Sequence, residues 1–511
     1  MPQYFQNDLP LVPVDKDALQ NTLNELTEAI QRGFTLINAN SPPPDIGNNQ
    51  AFGSIYTGDL GVAIMAIRII HQVQYLSTDR ASPETLTSEA QKIANIRVNP
   101  HAPLLEPRDL ERPSPLGSKS LGAIIVRILA ALAKLPSHLG TGSHQLDMRD
   151  IASLCDVASF ACEQTFVLGN DEVLYGRAGL LQAILKIRAM PLDQETISKF
   201  LPLFEKIPNI VNAIIQAGKI GATDFINRYG EEEAMPLMWP WHDKYYIGAI
   251  HGSCGILSVL LSCTPEELGR DQLEDHHPII AETINALCEL CIENKGHLPS
   301  SLPQHPSPRS PLVQICHGTP GLLILLSHAR SDAFFASNYW DPIWDQAISR
   351  GTNIVWKQGL LFKGGGLCHG MAGNAWPFLI LHDAFAYGPQ GTAKERLLFE
   401  ERLSLFDLPR HQPDAKRLLS QAITLLLHAR KSRPFNTHTY EEGRRYRMPD
   451  APYSLFEGLA GTICAWAEAC VTISAFLRKM EHDESPVENA HASEQAIVQA
   501  RSHELGFPSL T

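Results

Sequence analysis

Cysteine and histidine stand side by side at two places in this sequence, each directly before a glycine turn. One place is Cys316-His317-Gly318, and the other, 52 residues later, is Cys368-His369-Gly370. Two thiolates and an imidazole suit tetrahedral zinc, and three protein ligands leave the fourth position open, as in catalytic zinc sites. We therefore predict one zinc ion bound by Cys316, Cys368 and His369. The competing interpretation is that these are buried cysteines of a repetitive motif.

Both turns belong to an internal repeat. A Gly-x-x-Gly turn followed by an apolar run with helical period recurs along the chain. The copies begin at Gly58, Gly117, Gly176, Gly252, Gly318, Gly370 and Gly458, and the second is degenerate. Amphipathic stretches such as 195–217 and 278–294 lie between the apolar runs. Buried helices alternating with amphipathic ones indicate an all-α fold, an α/α toroid of seven inner and seven outer helices.

The repeat runs through the whole chain, so we predict a single domain over residues 1–511. Its core extends from about 50 to 478, and a polar tail covers 481–511. A charged excursion is predicted at 399–413, between the last two repeats. If the helices close into a ring, all seven turns lie at one end of it. Residues that precede the turns, including His251 and Glu457, then face a common mouth.

Composition excludes several classes of protein. The formal net charge of −13 argues against a nucleic-acid-binding surface. The N-terminus lacks a secretory signal, and the longest apolar runs fall short of a membrane span. Ten cysteines in 511 residues are too few for a disulfide scaffold, which predicts reduced thiols and a cytoplasmic location. Cys288 and Cys291 have CxxC spacing but lie in an amphipathic pattern, which favours a place in the core.

Several motifs together resemble the lanthionine synthetase C-like family, the eukaryotic relatives of lanthipeptide cyclases. They are Asp171-Glu-Val-Leu-Tyr-Gly-Arg177, Tyr245-Tyr-Ile-Gly-Ala-Ile-His-Gly252, Cys316-His-Gly-Thr-Pro-Gly321, Lys363-Gly-Gly-Gly-Leu-Cys-His-Gly370 and Pro449-Asp-Ala-Pro-Tyr-Ser-Leu-Phe-Glu-Gly458. The resemblance covers most of the chain, from Tyr56 to the end of the seventh repeat. It implies the same toroid with one zinc ion at its mouth.

The resemblance also implies roles for individual residues. The family's zinc ligands fall on Cys316, Cys368 and His369, the residues chosen above from spacing, and its active-site histidine falls on His251. An acidic partner falls on Glu172, and the glutathione contacts fall on Lys363 and Arg447. A third glutathione contact, an arginine near the N-terminus, has no counterpart in MPQYFQND. His317 is left with two possible roles, supporting the ligands or transferring protons.

These roles predict an enzyme that adds the thiolate of glutathione to dehydroalanine or dehydrobutyrine in proteins or peptides. Zinc favours the thiolate form of a bound thiol, and histidine titrates near enough to neutral pH to protonate the resulting enolate. Two alternatives are a lanthionine-forming peptide cyclase and a non-catalytic glutathione-binding signalling adaptor. A toroidal glycosidase would need two catalytic carboxylates and no zinc, and the Cys-His pairs speak against it.

Overall fold

The computed structural model describes residues 3–44, 52–76, 82–98, 101, 103–136, 142–163, 170–270, 274–304, 311–389, 391–406, 413–437 and 444–484. Within these residues the fold is all-α, with five strands of two or three residues each. This confirms the predicted fold class. The polar tail predicted at 481–511 lies outside the described residues from 485 onward.

Seven inner helices follow the seven glycine turns. They are α2 (Asp59–Gln72), α5 (Lys119–Leu132), α7 (Arg177–Ala189), α10 (Ser253–Leu260), α12 (Thr319–Ser331), α15 (Met371–Ala386) and α18 (Leu459–Glu484). Burial covers all sides of these helices: every residue of α10 is buried, and so are the first nine of α15. An apolar sequence without a polar face forms a stable helix only when protein surrounds it. The continuous apolar runs after each turn are therefore explained by their position inside the ring.

Seven amphipathic helices form the outer layer. They are α1 (Lys16–Asn40), α3 (Pro83–Asn95), α6 (Met148–Ala161), α9 (Ile207–Tyr229), α11 (His277–Glu293), α14 (Pro342–Gln358) and α17 (Ala415–Ala429). Five of them have an aspartate or serine at the N-cap whose side chain accepts a backbone N–H. Shorter helices α4 (Pro107–Glu111), α8 (Gln194–Phe204), α13 (Ala333–Tyr339) and α16 (Ala393–Ser404) fill the connections, with a 3-10 turn at Val73–Tyr75.

The strands are confined to the ends of the ring. β1 (Tyr4–Phe5) pairs antiparallel with β5 (Leu360–Leu361), and a second sheet has the order β2 (Pro240–Trp241), β3 (Lys244–Tyr246), β4 (Ser301–Leu302). β1 brings the N-terminal segment beside Lys363, because Phe362 N donates to Gln3 O at 3.0 Å. These short strands hold connecting loops against the turn end of the ring.

Backbone hydrogen bonds between neighbouring turns close the ring. They are Tyr56 N–Leu116 O, Ser114 N–Tyr175 O, Val173 N–Ile250 O, Ala249 N–Ile315 O, Cys316 N–Cys368 O, Cys368 N–Phe456 O and Phe456 N–Tyr56 O, with N···O distances from 2.7 to 3.4 Å. The last of these joins the seventh turn to the first, and α18 packs against α2 in the same place. All seven turns therefore lie at one end, as the repeat predicts.

Two segments refine the sequence predictions. The excursion predicted at 399–413 begins inside a helix, since α16 runs to Ser404 and its Phe399 is buried against Trp340. Residues 407–412 of that excursion lie outside the described residues. Among the described helices, α18 is long and apolar enough to cross a membrane, but 94% of its apolar stretch is buried within the protein. Its composition is explained by its place as an inner helix.

Candidate metal centre

The two Cys-His turns meet at the mouth of the ring. One ligand atom from each of Cys316, Cys368 and His369 lies within 4.8 Å of the others. Both thiols are buried, with Cys316 5% and Cys368 3% exposed. Cys316 N donates to Cys368 O at 3.4 Å, so a direct backbone contact holds the two turns together. The structure thus brings together the three residues that the spacing selected.

Glycines let the chain place Cys368 and His369 at the start of α15. A Cβ atom at Gly373 would overlap the carbonyl oxygen of Leu367, and one at Gly370 would overlap the backbone of Gly366. Such close approach is open only to glycine. The first N–H groups of α15 are satisfied by the turn itself, because Met371 N donates to Gly364 O at 2.8 Å. The helix therefore begins without a side-chain cap, and the residues before it remain available for chemistry.

The electrostatics of the trio favour a bound cation. Burial, and then the neighbouring Cys316, raises the pKa of the Cys368 thiol well above its usual value. Two adjacent buried thiols ionise together only if a positive charge compensates them, and a metal ion deprotonates a coordinating thiol outright. Two sulfurs and one imidazole are the donor set that tetrahedral zinc prefers. The residues present therefore fit a zinc ion with one open position.

Tyr56 is a contact that the sequence prediction did not include. Its hydroxyl donates to the Cys368 sulfur at 2.7 Å, and its ring stacks on Phe456 with 4.4 Å between centroids. Burial, and then the charges of Cys368 and Cys316, raises the pKa of Tyr56 well above its usual value, which keeps the hydroxyl protonated. Tyr56 stands two residues before the first turn glycine, the position that Cys316 and Cys368 occupy in their own repeats. Aligning the seven repeats on their turn glycines would have identified Tyr56 as a residue of the site.

His251 and Glu172 form a hydrogen-bonded pair beside the trio. His251 Nδ1 lies 3.0 Å from Glu172 Oε2. The carboxylate is 2% exposed and also accepts the backbone N–H groups of Leu174 at 3.1 Å and Tyr175 at 2.6 Å. A carboxylate held in this way fixes the orientation and tautomer of the imidazole. The structure therefore joins the two predicted residues by a hydrogen bond.

His317 directly follows Cys316 in the chain and lies beside His251. Its ring stacks on His251 with 5.5 Å between centroids, and Tyr246 packs against both rings. Burial lowers the pKa of His317 to about 4, with a further contribution from the nearby positive charges of His251 and His369. His317 is therefore neutral at physiological pH. Its Nδ1 atom is buried and has no hydrogen-bond partner among the described residues.

Lys363 and Arg447 lie on adjacent strands of backbone at the rim. Arg447 N donates to Phe362 O at 2.8 Å, and the Arg447 side chain is exposed. Lys363 is close enough to His317 to affect its pKa. The structure thus places the two predicted glutathione contacts on adjacent backbone segments, with Lys363 near His317.

The other cysteines are structural. Cys288 and Cys291 are completely buried on α11, and burial raises the pKa of Cys291 to about 12. These values agree with the predicted core location of the CxxC pair. Cys155 of α6 and Cys162 at its C-cap are half-buried. Thiols of this kind stay protonated and are poor metal ligands.

Comparison with known proteins agrees with these observations. The family model described as lanthionine synthetase C-like protein matches residues 53–387, which include six of the seven turns. Glutathione S-transferase LANCL1 of Danio rerio is 27% identical over 378 residues, covering 73% of this chain and 78% of that protein. LanC-like protein GCL1 of Arabidopsis thaliana is 28% identical over 443 residues, covering 87% of this chain and 83% of that protein.

A solved structure of nisin cyclase is also similar, at 15% identity and a TM-score of 0.32, over 75% of this chain and 91% of that one. The family model matches well over half of the chain and contains the turns that supply both cysteines, His369, His251 and Glu172. The chain belongs to the lanthionine synthetase C-like family.

Proposed function

We propose that this protein adds the thiol of glutathione to dehydroalanine or dehydrobutyrine residues of proteins or peptides, with zinc bound by Cys316, Cys368 and His369. The observation that carries the proposal is the buried Cys-Cys-His trio beside the His251–Glu172 pair at one open mouth. The relative named as a glutathione S-transferase supports the choice of thiol. All ten cysteines are free thiols in the structure, which supports a cytoplasmic location for the reaction.

The reaction is an addition across a double bond, so nothing leaves. The sulfur forms a bond to the β-carbon of the dehydroamino acid, the π electrons move toward the carbonyl, and the α-carbon then takes a proton. A zinc ion held by Cys316, Cys368 and His369 would supply the charge that keeps a substrate thiol ionised near neutral pH. The remaining tasks, which are proton delivery and orientation of both substrates, belong to side chains of this chain.

His251 is positioned to deliver the proton. Because Glu172 accepts from Nδ1–H, Nε2 is the atom that exchanges a proton with the substrate. The buried carboxylate stabilises the imidazolium when it forms, as carboxylate–histidine pairs do in other enzymes. Neutral His317, whose buried Nδ1 has no partner among the described residues, can donate to the carbonyl oxygen on which negative charge develops.

Lys363 and Arg447 bind the carboxylates of glutathione in this proposal. Arginine can hold a carboxylate through two parallel hydrogen bonds, whereas lysine acts as a point charge. Their backbones are adjacent, because Arg447 N donates to Phe362 O at 2.8 Å. The thiol end of the tripeptide then reaches toward the trio.

The central experiment incubates zinc-loaded protein with glutathione and a dehydroalanine-containing peptide and measures the adduct by mass spectrometry. We expect an adduct heavier than the peptide by one glutathione, formed faster than without protein. Peptides that also contain cysteine test the cyclase alternative, since cyclisation leaves the mass unchanged and blocks a free thiol. Zinc-loaded protein that forms neither product across a range of peptides would leave the adaptor alternative standing.

The glutathione contacts are tested separately. We expect Lys363→Gln and Arg447→Gln each to raise the KM for glutathione by about 10-fold, with a smaller effect on the KM for the peptide. Arg396→Gln, on the exposed face of α16, is the matched control. Unchanged glutathione KM in both variants would remove these residues from the proposed site.

A further inference from the structure

A cavity opens at the turn of the degenerate repeat, and the proposed reaction does not use it. Its volume is about 290 Å³, and its wall includes Arg108, Arg112 and Lys119 together with Tyr175. Two acidic residues, Glu106 and Asp109, also contribute. Three cations around one cavity stand out in a chain whose net charge is −13.

The two acidic side chains are engaged within the wall. The Asp109 carboxylate accepts from Ser118 Oγ and from the backbone N–H of Glu106, the latter at 2.8 Å. The Glu106 side chain in turn accepts a backbone N–H in the capping box at the start of α4. Both carboxylates keep their negative charge while they accept these hydrogen bonds, so the wall carries three cations and two anions, and the cation that sets it apart is Arg112.

Arg112 is held by two aromatic rings. Its guanidinium carbon lies 5.6 Å from the centre of the Tyr175 ring and 5.4 Å from that of Trp241, and the two rings stack 5.7 Å apart. Stacking fixes the plane of a guanidinium while its N–H edge stays available for an acceptor in that plane. Gly117 allows this packing, because a Cβ there would overlap the Tyr175 ring. The cavity therefore has a pre-oriented donor in its wall.

The wall of the cavity is connected by hydrogen bonds to the pair of His251 and Glu172. Tyr175 N donates to Glu172, whose other oxygen contacts His251. Trp241 lies on β2, and its neighbour β3 carries Tyr246, which packs against His251. The cavity and the metal centre thus occupy neighbouring parts of one mouth and share structural elements.

We propose that this cavity binds an anionic side chain, a carboxylate or a phosphoryl group, of the same peptide whose dehydroamino acid reacts at the metal centre. This inference rests on the proposed function. The cavity is at the lower end of the size of small-molecule sites, which suits one side chain better than a whole tripeptide. Both anions accept the in-plane donors of a guanidinium.

The geometry also restricts where the anion stands in the peptide. His251 and the cavity belong to turns one or two positions apart in the ring, and packed helices are about 8–10 Å apart. An extended peptide spans about 3.3–3.6 Å per residue. The anionic residue is therefore expected about two to six residues from the dehydroamino acid.

Binding of unreactive peptides tests the inference independently of catalysis. The labelled peptides share one sequence and carry alanine at the reacting position. They differ at one position, four residues before or after that alanine, which holds glutamine, glutamate or phosphoserine. Fluorescence anisotropy gives the Kd of each peptide. We expect one placement in which glutamate or phosphoserine binds about 5-fold more tightly than glutamine at low salt. A gain for phosphoserine alone identifies a phosphoryl site, and similar gains identify a carboxylate site. Equal Kd values for all three residues in both placements would overturn the inference.

Variants of the cavity residues test whether these residues cause the tighter binding of anionic peptides. Arg112→Gln is expected to abolish the tighter binding of the anionic peptides. If Arg112→Gln is unstable, the double variant Arg108→Gln/Lys119→Gln, which changes only exposed residues, replaces it and is expected to reduce the tighter binding. Arg396→Gln should leave it intact. In turnover assays, Arg112→Gln should raise the KM for an acidic peptide and leave the KM for glutathione unchanged. A rise in the KM for glutathione instead would assign the cavity to glutathione and overturn the proposal. If the protein shows no turnover but still binds anionic peptides more tightly than the glutamine peptide, the result counts only against the proposed reaction.

Discussion

The ring contains two buried charged regions that differ in how their charges are balanced. Inside the ring, Arg68 of α2 and Glu468 of α18 form a 2.7 Å ion pair, and Gln72 also donates to that carboxylate at 2.8 Å. At the mouth, Cys316 and Cys368 lie together, and their proximity raises the pKa of Cys368 further above the effect of burial. The interior pair is compensated by the protein itself. The two thiols can ionise together only if a cation from outside compensates them, whereas the interior pair needs no such partner.

The largest effect is expected from removing a ligand. Cys368→Ala and Cys316→Ala should each lose bound zinc and nearly all addition activity, because two ligands cannot hold the ion at physiological concentrations. Elemental analysis of purified protein measures the metal. Cys464→Ala, which changes a buried thiol of α18, is the control and should keep one equivalent. If both ligand variants also keep one equivalent, the assignment of ligands is wrong.

His251→Ala should keep the metal and lower kcat by about 10²–10⁴-fold, the usual contribution of general acid–base catalysis. Glu172→Gln should have a smaller effect, because an amide oxygen still accepts from Nδ1–H without stabilising the imidazolium. Single-turnover rates and zinc content, measured on the same samples, separate the two. Loss of zinc in His251→Ala would make this residue a ligand.

Glu468→Ala tests the other side of the comparison. It leaves Arg68 buried without its carboxylate, which should lower the free energy of unfolding by about 3–5 kcal/mol while zinc content stays unchanged. Urea denaturation provides the measurement. The surface pair of Lys199 and Glu195 supplies the control, since Glu195→Ala should cost less than about 1 kcal/mol. Equal destabilisation by both variants would contradict the proposed difference between buried and exposed pairs.

Tyr56→Phe is expected to have the mildest effect of the four. It removes the hydrogen bond to the Cys368 sulfur but keeps the stacking on Phe456, so zinc affinity should fall by about 10–100-fold. Competition with a chromophoric chelator measures this change. Tyr229→Phe, at an exposed ring on α9, should leave the affinity as it was. A Tyr56→Phe protein with the wild-type affinity would show that the hydroxyl does not support the ligand.

The repeat allowed the site to be predicted because it converts sequence position into spatial position. Cys316 and Cys368 occupy equivalent places before consecutive turns, so their proximity follows once the turns share one end. Tyr56 obeys the same rule but was not selected, because its partner lies 312 residues away and its type did not suggest a ligand. The packing of Arg112 depends on Trp241, which lies on the two-residue strand β2. No local sequence pattern predicts so short a strand. Clusters of charged residues from loops that are distant in sequence can be recognised only once the fold is known.

The closing hydrogen bond from Phe456 to Tyr56 has a consequence for how this architecture can change. In an open array of repeats, a unit can be added or deleted, and the terminal units only need polar caps. A closed ring has no terminal units, so deletion of one repeat would leave two unmatched faces rather than a shorter protein. The connections between repeats can therefore differ in length, as the helix α16 between α15 and α17 illustrates, while closure of the ring fixes the number of repeats.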